Sequence, residues 1–258
     1  MAGRPAAGGG RWVSVAPERL EGWLRGFAER HGASEAALRY EATAVPRGEV
    51  VCLRASDGAV AELHVPFPPF TAPPSASVPP ETSAAPPSAG VPLETSTAEA
   101  EDVRGEGLLA ALVAHATAER VIGVLLVRLG GHAAGVFEGR RLVASKVGSR
   151  LVHGRSAAGG WSQQRFARRR EKQAGEASQA AADVAARVLV PRVAALDAVV
   201  LGGDRRAVDA LRADRRLAPL FALEAGPFLD VPDPRLAVLQ DTPKNFRAVR
   251  VRLLDPAG

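Results

Sequence analysis

Residues 159–170 read GGWSQQRFARRR and carry the side chains whose types and spacing could do chemistry. Two glycines free the backbone from the Cβ clash, so the chain there can take φ values closed to other residues. The tip that follows, Trp161, Ser162, Gln163 and Gln164, is polar and has no acidic group. Arg165, Arg168, Arg169 and Arg170 come next, and Lys172 after them. Guanidinium groups grip phosphate with a planar fork of donors and do not deprotonate. A neutral amide tip on a cationic stem suits a phosphate-rich pocket. Ser162 and His153 could be read as nucleophile and base, but a triad also needs an orienting acid and an oxyanion pocket. No acidic residue lies between Glu138 and Glu171.

A wider window brings in HGR at residues 153–155. That HGR, the Gly159-Gly160 pair, a glutamine at the tip and RFARRR at residues 165–170 resemble the middle domain of the eukaryotic and archaeal class-one peptide-release factors. In that family an HGR, a GGQ tripeptide and an RFARxR helix start follow one another closely. Here Trp161 and Ser162 separate the glycines from Gln163, and GGQ spacing would put Trp161 in the glutamine place. This G-x-x-Q form is similar to the VLRF-type peptidyl-tRNA hydrolases, release-factor-like enzymes of ribosome-associated quality control with stand-alone bacterial relatives. The resemblance runs from about Leu108 to Leu254.

The resemblance implies a ribosome-dependent peptidyl-tRNA hydrolase that frees nascent chains from stalled ribosomes or large subunits. Its partners would be the large subunit with its rRNA and peptidyl-tRNA, with no cofactor, no metal and a monomeric state. Peptidyl-tRNA is an activated ester, so catalysis is chiefly a matter of placing water and stabilising the developing oxyanion. A glutamine does this without titrating: its side-chain amide orients water and its backbone N–H donates to the oxyanion or leaving group. By the resemblance the catalytic glutamine is Gln163, with Gly159 and Gly160 as a flexible approach. Gln164 competes for the role, because alignment from RFARRR slides with loop length. RNA contacts would fall to Trp161, Gln164, Arg155, Arg165, Arg168, Arg169, Arg170 and Lys172. Trp161 either stacks on a base, a contact of roughly 1–3 kcal/mol in single-strand binders, or tucks against the domain. His153 and Arg155 either brace the loop base or touch RNA.

Several elements must position that segment. A helix is expected from Gln163 or Gln164 to Val190, ended by Pro191, with Ser162 a candidate N-cap. Phe166, Ala174, Ala177, Ala181, Val184 and Val188 mark its buried stripe at three- and four-residue steps. Before it, an apolar helix from Leu108 leads to three strand-like runs at residues 121–128, 133–138 and 140–147. After it come a buried strand at 197–201, a Gly202-Gly203-Asp204 turn into a helix, a strand-like piece at 219–230, a short helix at 233–239 and a final strand at 248–254. The Gly pair at 202–203 could bind phosphate, but a plain βα turn is the default. His115 and His132 read as structural or solvated. The alternation of strands and helices predicts an α/β (α+β) fold, a mixed β-sheet with flanking helices. The resemblance adds a release-factor middle-domain-like order of elements, with a long helix after the catalytic loop.

Residues 1–10 read as a disordered tail. Residues 11–65 hold a helix starting at Pro17 and stopping at Gly32, with Trp23 and Phe27 as core positions, and a hairpin of strands at 49–54 and 59–65 joined through Asp57-Gly58. This segment is expected to pack on the main domain, residues 103–258. Residues 66–102 are Pro, Ala, Ser and Thr with few large apolar residues, a composition that reads as a disordered linker.

With 33 Lys and Arg against 28 Asp and Glu, the formal net charge is +5 and the pI near 10.2. An acidic partner is implied, nucleic acid first; codon usage in a GC-rich genome would produce the same arginine bias. Cys52 is the lone cysteine, which excludes an intrachain disulfide and a cysteine-based zinc site. No apolar run approaches a membrane span, and MAGRPAAGGG lacks the apolar core of a signal peptide, so the expected compartment is the cytoplasm. The chain has no evident room for codon-reading domains. Two other functions keep the same partner class: a nuclease cutting tRNA near its 3′ end, and a non-catalytic RNA- or ribosome-binding module.

Overall fold

A computed structural model describes residues 4–6, 9–41, 48–70, 105–128, 130–149 and 163–256, with the backbone alone at 40–41, 106 and 163–172. In chain order the elements are β1 (Arg4–Pro5), β2 (Arg11–Val15), α1 (Pro17–His31), β3 (Ser34–Glu41), β4 (Gly48–Ala55), β5 (Val60–His64) and α2 (Glu106–Thr117). Then follow β6 (Val121–Arg128), β7 (Gly131–Glu138), β8 (Arg141–Ser149), α3 (Gln163–Val188), β9 (Ala198–Gly203) and α4 (Arg205–Ala210). The chain closes with α5 (Ala218–Ala222), α6 (Leu236–Asp241), α7 (Pro243–Phe246) and β10 (Val249–Leu254). The fold class is mixed α/β, and the chain divides into two compact units, residues 1–65, 69–116 and 249–258 in one and 66–68 and 117–248 in the other.

The first unit is an antiparallel six-stranded sheet in the order β1-β2-β10-β5-β4-β3. Side chains alternate across each strand, and one set (Val15, Val51, Leu53, Ala61, Leu63, Val249, Val251) joins Leu20 and Phe27 of α1 and Leu108 and Leu112 of α2 in a single core. Helix α1 starts with Pro17 at its first turn, where the missing N–H costs nothing. It ends at Gly32, whose N–H donates to the Ala28 carbonyl at 2.8 Å.

Several expectations for this half need correction. The strand at 248–254 lies in the N-terminal sheet between β2 and β5, and the helix from 106 packs there too, so the N-terminal segment and residues 103–258 are not divided at 103. Strands β2 and β3 were not expected. The tail is not wholly irregular, since Arg4 and Pro5 pair with Trp12 and Arg11. Within the span read as linker, Phe67 and Phe70 are core residues. The two rings bury enough apolar area to order their neighbourhood, which a segment-wide composition conceals. The rest of that linker, 71–102, lies outside the described residues.

The second unit is built on the sheet β8-β7-β6-β9. Strands β6, β7 and β8 form an antiparallel meander, and β9 pairs with β6 in parallel, Val124 opposite Val200. One face carries Leu125, Val127, Val199 and Leu201 under Ala181, Ala185 and Val188 of α3, Leu189 just after it, and Val208 of α4. The other carries Val124, Leu126, Phe137 and Val200 under Leu239 of α6 and Phe246 of α7. Apolar on both faces, β6 reads as the continuous run it must be in a central strand. Residues 219–230 form α5 and two isolated parallel bridges, Glu224 to Val199 and Leu229 to Gly202, in place of a strand.

Candidate functional site

Strand β8 runs antiparallel to β7, and β7 to β6, while β9 is parallel to β6; β8 and β9 therefore point the same way. The chain from β8 through α3 to β9 is thus a crossover between parallel strands. Its helix must run back against them. That puts the N-terminus of α3 at the end of the sheet where β6, β8 and β9 finish. In open α/β sheets this carboxyl end of the strands is where ligands bind.

Helix α3 spans 26 residues, about 39 Å at 1.5 Å per residue. Its packing is uneven: Ala181, Ala182, Ala185 and Val188 are buried, while Ala174, Gly175, Glu176 and Gln179 are exposed. The expected stripe holds at Ala181 and Val188 and fails at Ala174, which is exposed. From Gln163 to Ala181 the helix extends roughly 27 Å along its axis. Gln163, Gln164, Arg165, Arg168, Arg169, Arg170 and Lys172 all lie in that N-terminal stretch, and no acidic residue falls in its first turn. Arg165, in the first turn, opposes the helix dipole, so local helix stability does not account for it. Arg155, Gly159, Gly160 and Trp161, with His153 and Ser162, lie outside the described residues.

The ladder that delivers the chain to this segment ends in a close fit. His132 pairs in register with Gly148, one residue before β8 ends, and the imidazole is 7% exposed. A Cβ on Gly148 would sit 2.3 Å from His132 Nε2, so only glycine leaves room for the ring. Burial pushes the His132 pKa below its ordinary value, holding the ring neutral. His115 is structural too, its ring edge-on to Phe70 at 5.3 Å. At the same sheet end Arg128 donates to the Val231 carbonyl at 2.6 Å. Gly203 has φ +102°, and a Cβ there would meet the Val127 carbonyl oxygen at 2.1 Å. The Gly202-Gly203-Asp204 sequence is therefore a packed βα turn. Asp204 caps α4, accepting from the N–H groups of Arg206 at 2.8 Å and Ala207 at 3.2 Å.

Sequence reading missed the His132–Gly148 fit, which a strand register would have exposed. Among the described residues no group of His, Cys, Asp or Glu could hold a metal ion. No described helix is long and apolar enough to cross a membrane.

The profile of the Actinobacteria/chloroflexi VLRF1 release factor family matches residues 120–252. This chain belongs to that family. The match takes in the whole β6–β9 sheet, α3 and most of β10. Among solved structures, the family member is similar to an archaeal translation termination factor, aRF1, at 22% identity and a TM-score of 0.37. That similarity covers 54% of this chain and 37% of the other, so the chain spans little more than a third of the archaeal factor. A second similar structure, an archaeal protein, has 14% identity and a TM-score of 0.30, over 89% of this chain and 70% of that one. No curated protein matches.

Proposed function

We propose that this chain is a peptidyl-tRNA hydrolase that works in the large ribosomal subunit, with Gln163 placing the attacking water. The observation that carries this reading is the VLRF1 family match over a stretch that contains Gln163 at the start of α3. The crossover topology supports it, because it sets the start of α3 at the end of the sheet where β8 and β9 finish, the end at which open α/β sheets bind ligands. The amide of Gln163 orients water, its backbone N–H donates to the oxyanion, and Gly159 and Gly160 let the chain approach the ester. Arg155, Arg165, Arg168, Arg169, Arg170 and Lys172 meet RNA phosphates, and Trp161 and Gln164 meet RNA beside them. The remaining catalytic groups belong to rRNA and to the terminal ribose of the tRNA. The protein acts as a monomer in the cytoplasm, on stalled ribosomes or split large subunits.

A peptide-release assay on large-subunit complexes carrying peptidyl-tRNA tests the reading, with wild type and Gln163→Ala side by side. The expected result is released peptide and a tRNA with an intact 3′ end, lost in the variant while binding persists. A shortened tRNA would instead mean nuclease action. Binding without release under any condition would leave only a ribosome-binding module.

A further inference from the structure

The sheet of the first unit has two faces of different character. Val15, Val51, Leu63 and Val251 turn to α1 and α2, and their strand neighbours turn the other way. In register, Ser14, Arg250, His64, Val50 and Arg39 form a row across β2, β10, β5, β4 and β3 that holds two arginines and no acid. On the same face lie Arg4 opposite Trp12, Arg252 opposite Glu62, and Arg54 opposite Glu35. The face thus sets five arginines against two glutamates, whereas α1, on the other side, balances Glu18, Glu21 and Glu29 with Arg19, Arg25 and Arg30.

The arginines sort by face in a second way. Away from this face, Arg11 and Arg25 reach carboxylates and Arg30 a carbonyl. On it, Arg252 pairs with Glu62 at 3.3 Å. Arg4, Arg39, Arg54 and Arg250 are exposed and make no ion pair among the described residues. Arg54 leaves Glu35 unpaired although the two stand directly opposite, where unlike charges on a solvated sheet ordinarily meet. The Arg250 guanidinium lies over the Trp12 ring at 4.5 Å, which holds the group in place with its N–H donors unspent.

We propose that this sheet face is a docking surface for RNA, gripping the phosphate backbone through Arg39, Arg54 and Arg250. Charge complementarity calls for a polyanion. Five strand spacings of about 4.8 Å separate β1 from β3, so the cations spread over roughly 24 Å, the reach of several nucleotides and more than any single phosphate. Guanidinium forks match phosphate oxygens in charge and in donor geometry. That this RNA is ribosomal rests on the proposed function; the contact with an RNA backbone does not.

The test is the salt dependence of binding by the full chain, to a short oligouridylate and to large ribosomal subunits. Wild type is compared with Arg39→Gln/Arg54→Gln, Arg39→Lys/Arg54→Lys and Arg19→Gln. Arg19 is the control, an exposed arginine of α1 on the side away from this face. Each contact to single-stranded RNA adds about 0.7 to the slope of log K against log salt, so the oligouridylate slope should fall by about 1.4 in the Gln pair. It should hold in the Lys pair, which keeps the charge, and in the control; the slope on subunits should fall in the Gln pair as well. A wild-type slope in the Gln pair overturns the inference, as does an equal fall in the Lys pair or in Arg19→Gln. A synthetic peptide of residues 71–104, with five acids and one arginine, is the competing polyanion. If it binds wild type but not the Gln pair while RNA binding is unchanged, the face takes an acidic peptide and the RNA inference falls. The oligouridylate carries no ester and needs no ribosome. A lowered slope in a protein that releases no peptide therefore sinks only the hydrolase reading, and release with an unchanged slope sinks only this one.

Discussion

His132 and Gly148 face each other across the β7–β8 ladder so closely that a methyl group on Gly148 would come within 2.3 Å of Nε2. The ring is buried beside Gly148, and packed interiors resist added volume. Gly148→Ala should therefore cost about 1–3 kcal/mol of stability. Adding His132→Ala should restore part of that loss, since the two changes share one space and their effects are not additive. Urea unfolding of the two single variants and the double variant measures the coupling, and simple additivity would count against the contact.

The same burial makes stability depend on pH in a defined direction. His132 has its pKa pushed down by desolvation when folded, whereas in the unfolded chain it takes a proton near 6.5. Just below that pH the unfolded state binds more protons, so stability rises with pH up to about 6.5 and this contribution is flat above it. Wild type should lose stability relative to His132→Gln as pH falls from 7 towards 5. Parallel stability curves for the two proteins would sink the assignment.

Much of the second unit was legible because its signals are local. An arginine run after a glycine pair, followed by apolar residues at helical steps and closed by Pro191, specifies α3 almost to the residue. Continuous apolar character marked β6 and β9, and Pro17 and Gly32 framed α1. The first unit was less legible because its order is set by distant partners. Strand β3 has the sequence SEAALRYE, rich in residues that favour helices, and it is extended because it pairs with β4 along its length. Strand β10 was legible as a strand, but nothing in VRVRLL says that its neighbours are Trp12 and Leu63 rather than β6 or β9. The chemistry-bearing segment was read from residue types, and the sheet adds what they could not: the shared direction of β8 and β9, which aligns the starts of α3 and α4.

Because β10 sits inside the first sheet, removing residues 249–258 should do more than trim an end. Val249 and Val251 are fully buried, and their loss leaves β2 and β5 without a common partner. The truncated protein should show early proteolysis within residues 11–64, with the 121–248 region retained as a resistant fragment. Equal protection of both regions would contradict the partition of the fold.

Gly203 provides a separate check on the turn into α4. Its φ of +102° is closed to residues with a Cβ, and the added atom would strike the Val127 carbonyl oxygen. Gly203→Ala should cost more than the ~1 kcal/mol typical of a point change, because strain and overlap add. Denaturant midpoints measure this. A near-neutral result would mean that the turn relaxes, and with it the start of α4.

The sharpest prediction separates two neighbouring glutamines. Gln163 is the first residue of α3 and Gln164 the second, and consecutive helix positions point about 100° apart, so only one side chain can face the ester. Alanine at either site favours the helix as well as glutamine does or better, so loss of activity cannot be blamed on loss of α3. Gln163→Ala should lower peptide release on the order of 10²–10³-fold, the scale for removing one donor that meets a developing oxyanion. Affinity for the large subunit should hold, since the arginines remain. Gln164→Ala should act mainly on affinity. Single-turnover release and equilibrium binding, measured on both variants, would reassign the catalytic role to Gln164 if the pattern came out reversed.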